Sequence, residues 1–340
     1  MNQLGDRFFA RGREFLGVDY PFICGAMTWV SDPALVAAVT NAGGFACLAG
    51  GNTPVPILRE RIEGGRGRIA GRQLDINLIT IAPAYRDHLE MIDDVQLPFV
   101  IFAGGFPRKQ EIDRAKATGA RVMCFASTLS IARRMQRYGA DAIILEGMEA
   151  GGHVGHVSLI VLLQQVLFEL TDLPVFVAGG IADGRMCAHL LLMGAAGVQM
   201  GTLFAVAAES CAHPAFKDRF VRANARDAVS TPQFDSRLPV VAVRALRNRG
   251  LDEFGALQLE LIAKLDRGEI NRTDAQEQVE SYWMGALRRA VMDGDTDAGS
   301  LMSGQSVGLV DRIEPVADII RRLTADTEAE LQRAKAGLCD

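Results

Sequence analysis

The 340-residue sequence predicts an α/β fold: a (β/α)8 TIM barrel carrying a helical addition at its carboxyl end. Three observations predict it. Short, almost wholly apolar runs recur eight times in the first 200 residues, as strands buried on both faces of a parallel sheet do. A helix-like stretch follows most of them, with the rhythm and span usual for a closed barrel. The most glycine-rich strand ends come late, whereas an open doubly wound sheet carries its phosphate-binding glycines after the first strand.

In chain order the predicted strands are Phe22–Ala26, Phe45–Ala49, Leu74–Ile79, Phe99–Ala103, Arg121–Ala126, Ala142–Glu146, Val175–Ala178 and Gly197–Met200. Helical patterns lie between them at Pro33–Asn41, Val55–Glu63, Lys109–Thr118, Leu129–Tyr138, Ser158–Leu170 and Met186–Met193. Gly43, Gly119, Gly139 and Gly194 end four of these segments, where a left-handed residue commonly closes a helix. After Gly201-Thr202 the rhythm breaks. A helix is expected there, then an irregular stretch from Ser230 to Val243. An amphipathic helix over Leu251–Arg267 follows, with Phe254, Leu257, Leu261 and Leu265 at helical spacing. A second begins at Thr273, where Thr273 and Gln276 form a capping-box pattern, and runs to Met292. The glycine-rich segment Gly294–Leu309 closes the region, and a last helix, Val316–Leu331, returns to the barrel wall. The expected division is a barrel over 1–212, a mainly helical accessory or lid region over 213–300, and a closing loop and helix over 301–340.

Composition excludes several function classes. A net charge of −5 leaves no basic excess to neutralise phosphates, so no nucleic-acid partner is expected. Six cysteines, Cys24, Cys47, Cys124, Cys187, Cys211 and Cys339, are scattered, with no CxxC and no zinc spacing. That pattern fits buried thiols in a reducing compartment and no metal site. Met1–Gly17 mixes acids and arginines without an apolar core, unlike a secretory signal. The longest apolar stretch, Leu159–Leu170, is broken by Gln164, Gln165 and Glu169, too polar to span a bilayer. A cytoplasmic protein without membrane contact is therefore expected.

Chemistry concentrates at three late strand ends. After the seventh strand the chain reads Ala178-Gly179-Gly180-Ile181-Ala182-Asp183-Gly184, and after the eighth Gln199-Met200-Gly201-Thr202. In a barrel these loops commonly bind phosphate. Adjacent glycines let backbone approach an anion, and the following helix is expected to aim its amides and positive end at it. After the sixth strand comes Glu146-Gly147-Met148-Glu149-Ala150-Gly151-Gly152-His153-Val154-Gly155. Its glycines suggest backbone lying flat against a planar ligand, and His153 is the candidate acid–base group. Asn77, near the end of the third strand, either hydrogen-bonds a heterocycle edge or stabilises a turn. Cys24 is expected as a small buried thiol and Asp183 as a helix cap. His88, His189 and His213 read as helix or surface positions, and His156 as a loop or helix-start residue.

The run EGMEAGGHVG from Glu146 to Gly155 resembles the signature of the nitronate monooxygenase (2-nitropropane dioxygenase) family and of its close relatives, the flavin-type enoyl-ACP reductases. So do Asn41-Ala42-Gly43-Gly44, the AGGIADG segment, Gln199-Met200-Gly201-Thr202, Ala212-His213-Pro214, and GDTDAGSLMSGQSVGLV from Gly294 to Val310. The similarity covers nearly the whole chain. It implies non-covalently held FMN. Gly25, Ala26 and Met27 would lie near the isoalloxazine, Asn77 and Glu146 at its polar edge, and Gly151 and Gly152 beside it. Ala178, Gly179, Gly180, Gln199, Met200, Gly201 and Thr202 would hold ribityl and phosphate. His153 falls on the family's active-site histidine. Glu146 and the Gly50-Gly51-Asn52-Thr53-Pro54 loop lean towards the reductases, Ala103-Gly104-Gly105-Phe106-Pro107 towards the oxidisers, and Cys24-Gly25-Ala26-Met27 departs from both. The leading expectation is oxidation of a small-molecule nitronate or nitroalkane with O2. The alternative is an NADH- or NADPH-dependent reductase of enoyl thioesters or quinones. The added helices are expected to form a lid, a homodimer face or both.

Overall fold

The computed structural model describes residues 3–51, 53–69, 74–231, 234–236, 238 and 242–337. Eight parallel strands close into a barrel: β1 (Phe22–Cys24), β2 (Phe45–Ala49), β3 (Asp75–Ile79), β4 (Phe99–Ala103), β5 (Arg121–Ala126), β6 (Ala142–Glu146), β8 (Val175–Ala178) and β9 (Gly197–Met200). β7 (Gly152–His153) lies outside the barrel, in the loop after β6. β9 pairs back onto β1, with Cys24 opposite Met200, so no strand edge is left open.

Alternation along each strand sorts the side chains. Ile23, Phe45, Cys47, Phe99, Ile101, Met123, Ile144 and Phe176 fill the barrel interior, while Phe22, Leu48, Ile76, Val100, Val122, Ile143 and Val177 face the surrounding helices. Helix α1 (Gln3–Leu16) plugs the amino-terminal mouth. Its Phe15 packs edge-on against Phe99 at 5.5 Å between ring centroids, and Leu16 joins the interior cluster. That plug leaves the carboxyl end of the barrel as its open mouth among the described residues.

The helices α2 (Pro33–Asn41), α3 (Val55–Arg66), α4 (Tyr85–Met91), α5 (Lys109–Ala117), α6 (Leu129–Tyr138), α7 (Leu159–Leu162, extended by a π-helical turn to Leu167) and α8 (Gly184–Leu192) alternate with the strands. Gly43, Gly119, Gly139 and Gly194 all take positive φ at the ends of helices, as their positions predict. Beyond the barrel lie α9 (Thr202–Ala205), α10 (Pro214–Val221), α11 (Arg249–Asp266), α12 (Arg272–Arg288) and α13 (Val316–Ala336). Phe254, Leu261, Ala275, Val279 and Trp283 form a separate small core between α11 and α12. α13 packs on α8, where Thr327 Oγ1 donates to Gly184 O at 2.9 Å.

The structure differs from expectation in places. The first strand stops at Cys24, because Gly25 already turns into the rim. α12 is capped by Asn271 rather than Thr273: Asn271 accepts from the amides of Thr273 and Asp274, and Asp274 accepts from the Asn271 amide. That is the same reciprocal cap, built from Asn and Asp. The added region is not purely helical. β10 (Ala228–Ser230) and β11 (Val243–Leu246) pair antiparallel, and β11 also pairs with β7. Within the stretch read as irregular, 232, 233, 237 and 239–241 lie outside the described residues, as do Asn52 of the glycine loop and Cys339. Cys24, Cys47, Cys124 and Cys187 are buried free thiols; Cys211 is exposed. Among the described residues no helix is long and apolar enough to cross a membrane, and no cluster of ligands could hold a metal.

Candidate functional site

A cavity of about 540 Å³ opens at the carboxyl ends of the strands. Barrel phase explains its floor. Inward positions at or near the ends of β3, β4, β5, β6, β8 and β9, namely Asn77, Ala103, Phe125, Glu146, Ala178 and Gln199, all line it, and Ile79 at the very end of β3 does too. The turns beyond the strands supply the wall, including Gly25, Ala26 and Met27 after β1, Gly179 and Gly180 after β8, and Met200, Gly201 and Thr202 around the end of β9. Gly151, Gly152 and His153 complete it from the β6 loop. Every residue singled out from the sequence as cofactor-binding or catalytic therefore borders one space.

Glycine serves two purposes here. A Cβ on Gly201 would find only Met27 Sδ at 3.7 Å, and one on Gly152 only Met302 Sδ at 3.7 Å, so both leave room in the cavity. Gly179 and Gly180 have φ of 104° and 73°, a conformation that side chains resist. No turn or loop hydrogen bond among the described residues takes up the amides of Gly179, Gly180, Gly201 or Thr202. Three other glycines of the histidine loop also meet protein at close range. A Cβ on Gly147 would lie 2.5 Å from Leu159 Cβ, one on Gly151 2.5 Å from Gly304 N, and one on Gly155 2.9 Å from Ser127 Cβ. These three allow close protein packing; only Gly152 leaves its face open.

A correction concerns the helix after β8. The N-terminus of α8 is closed by Asp183, which accepts from Arg185 N at 2.7 Å, and Gly184 packs against α13. Its positive end is not offered to the cavity; the backbone of the glycine turns is. Asp183 is the cap expected of it, and the adjacent Arg185 guanidinium holds its carboxyl below the usual range.

His153 is held by backbone. β7 pairs with β11, placing Val243 opposite His153, and Val154 N donates to Ala242 O at 2.9 Å. Arg244, buried next to Val243, donates to Met148 O at 3.0 Å and Ala228 O at 2.8 Å, tying the loop to the small sheet. Glu149 accepts from Leu159 N and anchors the loop on α7. Facing the imidazole is a residue the sequence reading missed: Glu280 of α12, whose Oε2 lies 3.5 Å from His153 Nε2. Trp283, Met284 and Leu287 of the same helix also line the cavity. A signal for Glu280 did exist, since it falls on the buried stripe Ala275, Val279, Trp283, Ala286.

Of the other histidines, His88 is buried with Nε2 2.6 Å from Thr53 O, His189 pairs with Glu330, and His213 caps α10. Only His156 joins His153 at the cavity.

Two carboxyls inside the barrel are strongly perturbed. Burial pushes Glu146 up to about 8. Burial also pushes Asp75, directly beneath Asn77, up to about 8, against the hydrogen bond it accepts from Phe99 N. Both bind a proton in the folded chain at pH values where the unfolded chain has lost it. Their contribution is therefore fully present below about pH 4 and is lost as pH rises towards about 8. Flavin-free protein should lose stability across that window, by up to about 1.4 kcal/mol per pH unit for each group. Urea titrations at several pH values check this; Asp75→Asn should flatten the profile, and a native profile already flat would contradict it.

Comparison with known proteins agrees with this geometry. The nitronate monooxygenase family model matches residues 56–326. The chain belongs to that family. It is a family of flavin-dependent oxidoreductases whose members differ in substrate. The chain is 31% identical to a Mycobacterium tuberculosis (3aS,4S,5R,7aS)-5-hydroxy-7a-methyl-1-oxo-octahydro-1H-indene-4-carboxyl-CoA dehydrogenase, over 95% of this chain and 97% of that one. FabK from Thermotoga maritima superposes with a TM-score of 0.85 at 34% identity, covering 96% of this chain and 98% of FabK. A nitroalkane oxidase from Streptomyces ansochromogenes superposes with a TM-score of 0.77 at 27% identity, covering 93% and 98%.

Proposed function

We propose that this member of the nitronate monooxygenase family is an FMN-dependent oxidoreductase of an acyl thioester, drawing on NADH or NADPH when it works reductively. The observation that carries this reading is the order of similarity. The CoA dehydrogenase at 31% and FabK at 34% stand above the nitroalkane oxidase at 27%. That order reverses the preference for nitronate oxidation drawn from the sequence motifs. Glu146, which leaned towards the reductases, supports the same choice.

The residues present suit FMN. The amides of Gly179, Gly180, Gly201 and Thr202, none taken up by a turn or loop hydrogen bond among the described residues, would form a cradle for a phosphate. Open faces at Gly152 and Gly201 leave space for a flat ring system and its chain. When bound, FMN supplies two-electron transfer as hydride. The protein does the rest. Glu146, whose carboxyl burial keeps protonated near neutral pH, would be able to donate a hydrogen bond to the polar edge of the ring, and Asn77 would offer both a donor and an acceptor there. Phe106, Trp283, Met284 and Leu287 provide an apolar lining for the acyl part and exclude water. His153 gives a proton to the carbon next to the thioester carbonyl in reduction, or takes it in the reverse direction.

Anaerobic spectroscopy of the flavin-loaded protein tests the reading. NADH or NADPH should bleach the flavin and an α,β-unsaturated acyl thioester should restore its colour. Bleaching by alkyl nitronates and by no nicotinamide would overturn it in favour of nitronate oxidation. Gly201→Val should weaken FMN binding at least about tenfold, or 1.4 kcal/mol, by filling the cradle; fluorescence titration with FMN reads it, and unchanged affinity would remove Gly201 from the site.

A further inference from the structure

Deepening that reading, we propose that Glu280 is the positioning residue for His153. It holds the imidazole as the Nε2–H tautomer, so that Nδ1 is the nitrogen that exchanges a proton with the substrate. The assignment rests on His153 being the acid–base group and on the surroundings of its two nitrogens.

Nε2 is fully buried and has no hydrogen-bond partner among the described residues. Its near polar neighbour is Glu280 Oε2 at 3.5 Å, beyond hydrogen-bonding range by a few tenths of an ångström. Catalytic pairs are often this long without substrate and tighten when it binds. Nδ1 is not enclosed in this way, and the ring borders the cavity. Glu280 in turn is only 7% exposed. Neither side chain has any other hydrogen bond or ion pair among the described residues. A carboxylate left alone at such burial is costly. Two otherwise unpaired polar groups facing each other inside a cavity therefore satisfy each other. A carboxylate can only accept, so it selects the tautomer with hydrogen on Nε2 and leaves a lone pair on Nδ1.

Other charged groups nearby are committed elsewhere. Glu149 on the same loop accepts from Leu159 N, and Arg244 on β11 donates to two carbonyls. Glu146 belongs to the floor of the cavity, and His156, on the same loop, has no carboxylate partner among the described residues. Backbone pairing of β7 with β11 fixes the Cα of His153 but not the rotation of its ring. Glu280 supplies that constraint from a different part of the chain. When Nδ1 takes a proton, the positive charge spreads over both nitrogens, and the carboxylate beside Nε2 stabilises it.

The test combines a spectrum with kinetics. 15N-imidazole NMR of the flavin-loaded protein near pH 8, with His153 assigned from its loss in His153→Gln, reads the tautomer without any substrate. The native protein should show a protonated Nε2 and an unprotonated Nδ1 for His153. Glu280→Leu should lose that preference and lower kcat by about 100-fold or more, with KM changed by less than about threefold. Glu280→Gln, which keeps an acceptor but no charge, should retain the tautomer and recover at least about tenfold of the lost kcat. A native spectrum with hydrogen on Nδ1, or a Leu variant that keeps both tautomer and rate, would overturn the assignment. The spectrum decides even if no thioester is turned over; that second failure would count against the proposed substrate, not against the pair.

Discussion

His153→Ala should retain bound FMN and lose turnover by about 10²–10⁴-fold, the range expected when a positioned acid–base group is removed. Retention follows from how the loop is built. The loop is fixed by the β7–β11 pairing, the Arg244 bonds and the Glu149 anchor, none of which involves the imidazole. The groups suited to holding the cofactor, at Gly179, Gly180, Gly201 and Thr202, lie on other turns. Removing the ring leaves Glu280 as a buried carboxylate without a partner, which should cost about 1–3 kcal/mol of stability. That cost has a signature: His153→Ala with Glu280→Leu should be more stable than His153→Ala alone. Stopped-flow traces should separate the two half-reactions. Flavin reduction by nicotinamide, which needs no side-chain proton transfer, should slow far less than reoxidation by the thioester. Equal slowing of both halves, or loss of FMN, would show that the ring has a structural role instead.

Much of this was legible in the sequence because barrel physics is local. Six of the eight strands have the bounds read from apolar runs, and alternation along them decides which side chain points inwards at the rim. Asn77, Glu146 and Gln199 are inward by that count alone, each two residues beyond an interior position, so their convergence needs no long-range information. Glycine meant less than it seemed. Gly147, Gly151 and Gly155 carry the same letter as Gly152, yet they meet protein backbone or side chains, and that distinction depends on segments far away in sequence. The α8 dipole failed for a similar reason: Asp183 was recognised as a cap, but neither it nor Gly184 borders the cavity, and Gly184 packs on α13 instead. Glu280 was missed because a single carboxylate on an amphipathic helix gives no hint of a histidine 127 positions earlier. The small sheet escaped because β7 is two residues long and pairs with a partner ninety positions away.

Gly151→Ala should be strongly damaging for a single added methyl. Expected effects are about 1–3 kcal/mol of stability and about 100-fold in kcat/KM. Backbone strain does not enter, since Gly151 is not left-handed. Space does: the new Cβ would lie 2.5 Å from Gly304 N, 2.5 Å from Ser303 C and 2.9 Å from Ser303 Cα, all backbone atoms that no rotamer change can move. Ser303-Gly304 cannot simply retreat. Gly304 N donates to Thr202 Oγ1 at 3.0 Å, Gln305 N donates to Glu149 O at 2.9 Å, and a Cβ on Gly304 would itself meet Glu149 O at 2.8 Å. Relief to normal contact therefore shifts either the closing loop, and with it Thr202 of the proposed phosphate cradle, or the histidine loop, and with it His153 two residues on. A displacement of about 1 Å is enough to cost two orders of magnitude in rate. The comparison is Gly64→Ala, in the interior of α3 with nothing within 4 Å of the added carbon, which should be neutral or stabilising by up to about 1 kcal/mol. Melting temperature, FMN occupancy and kcat/KM measured on both variants distinguish the outcomes. If Gly151→Ala matches the native protein in all three, then the closing loop is free to move, and the rigid three-way contact of histidine loop, closing loop and cradle does not exist in solution.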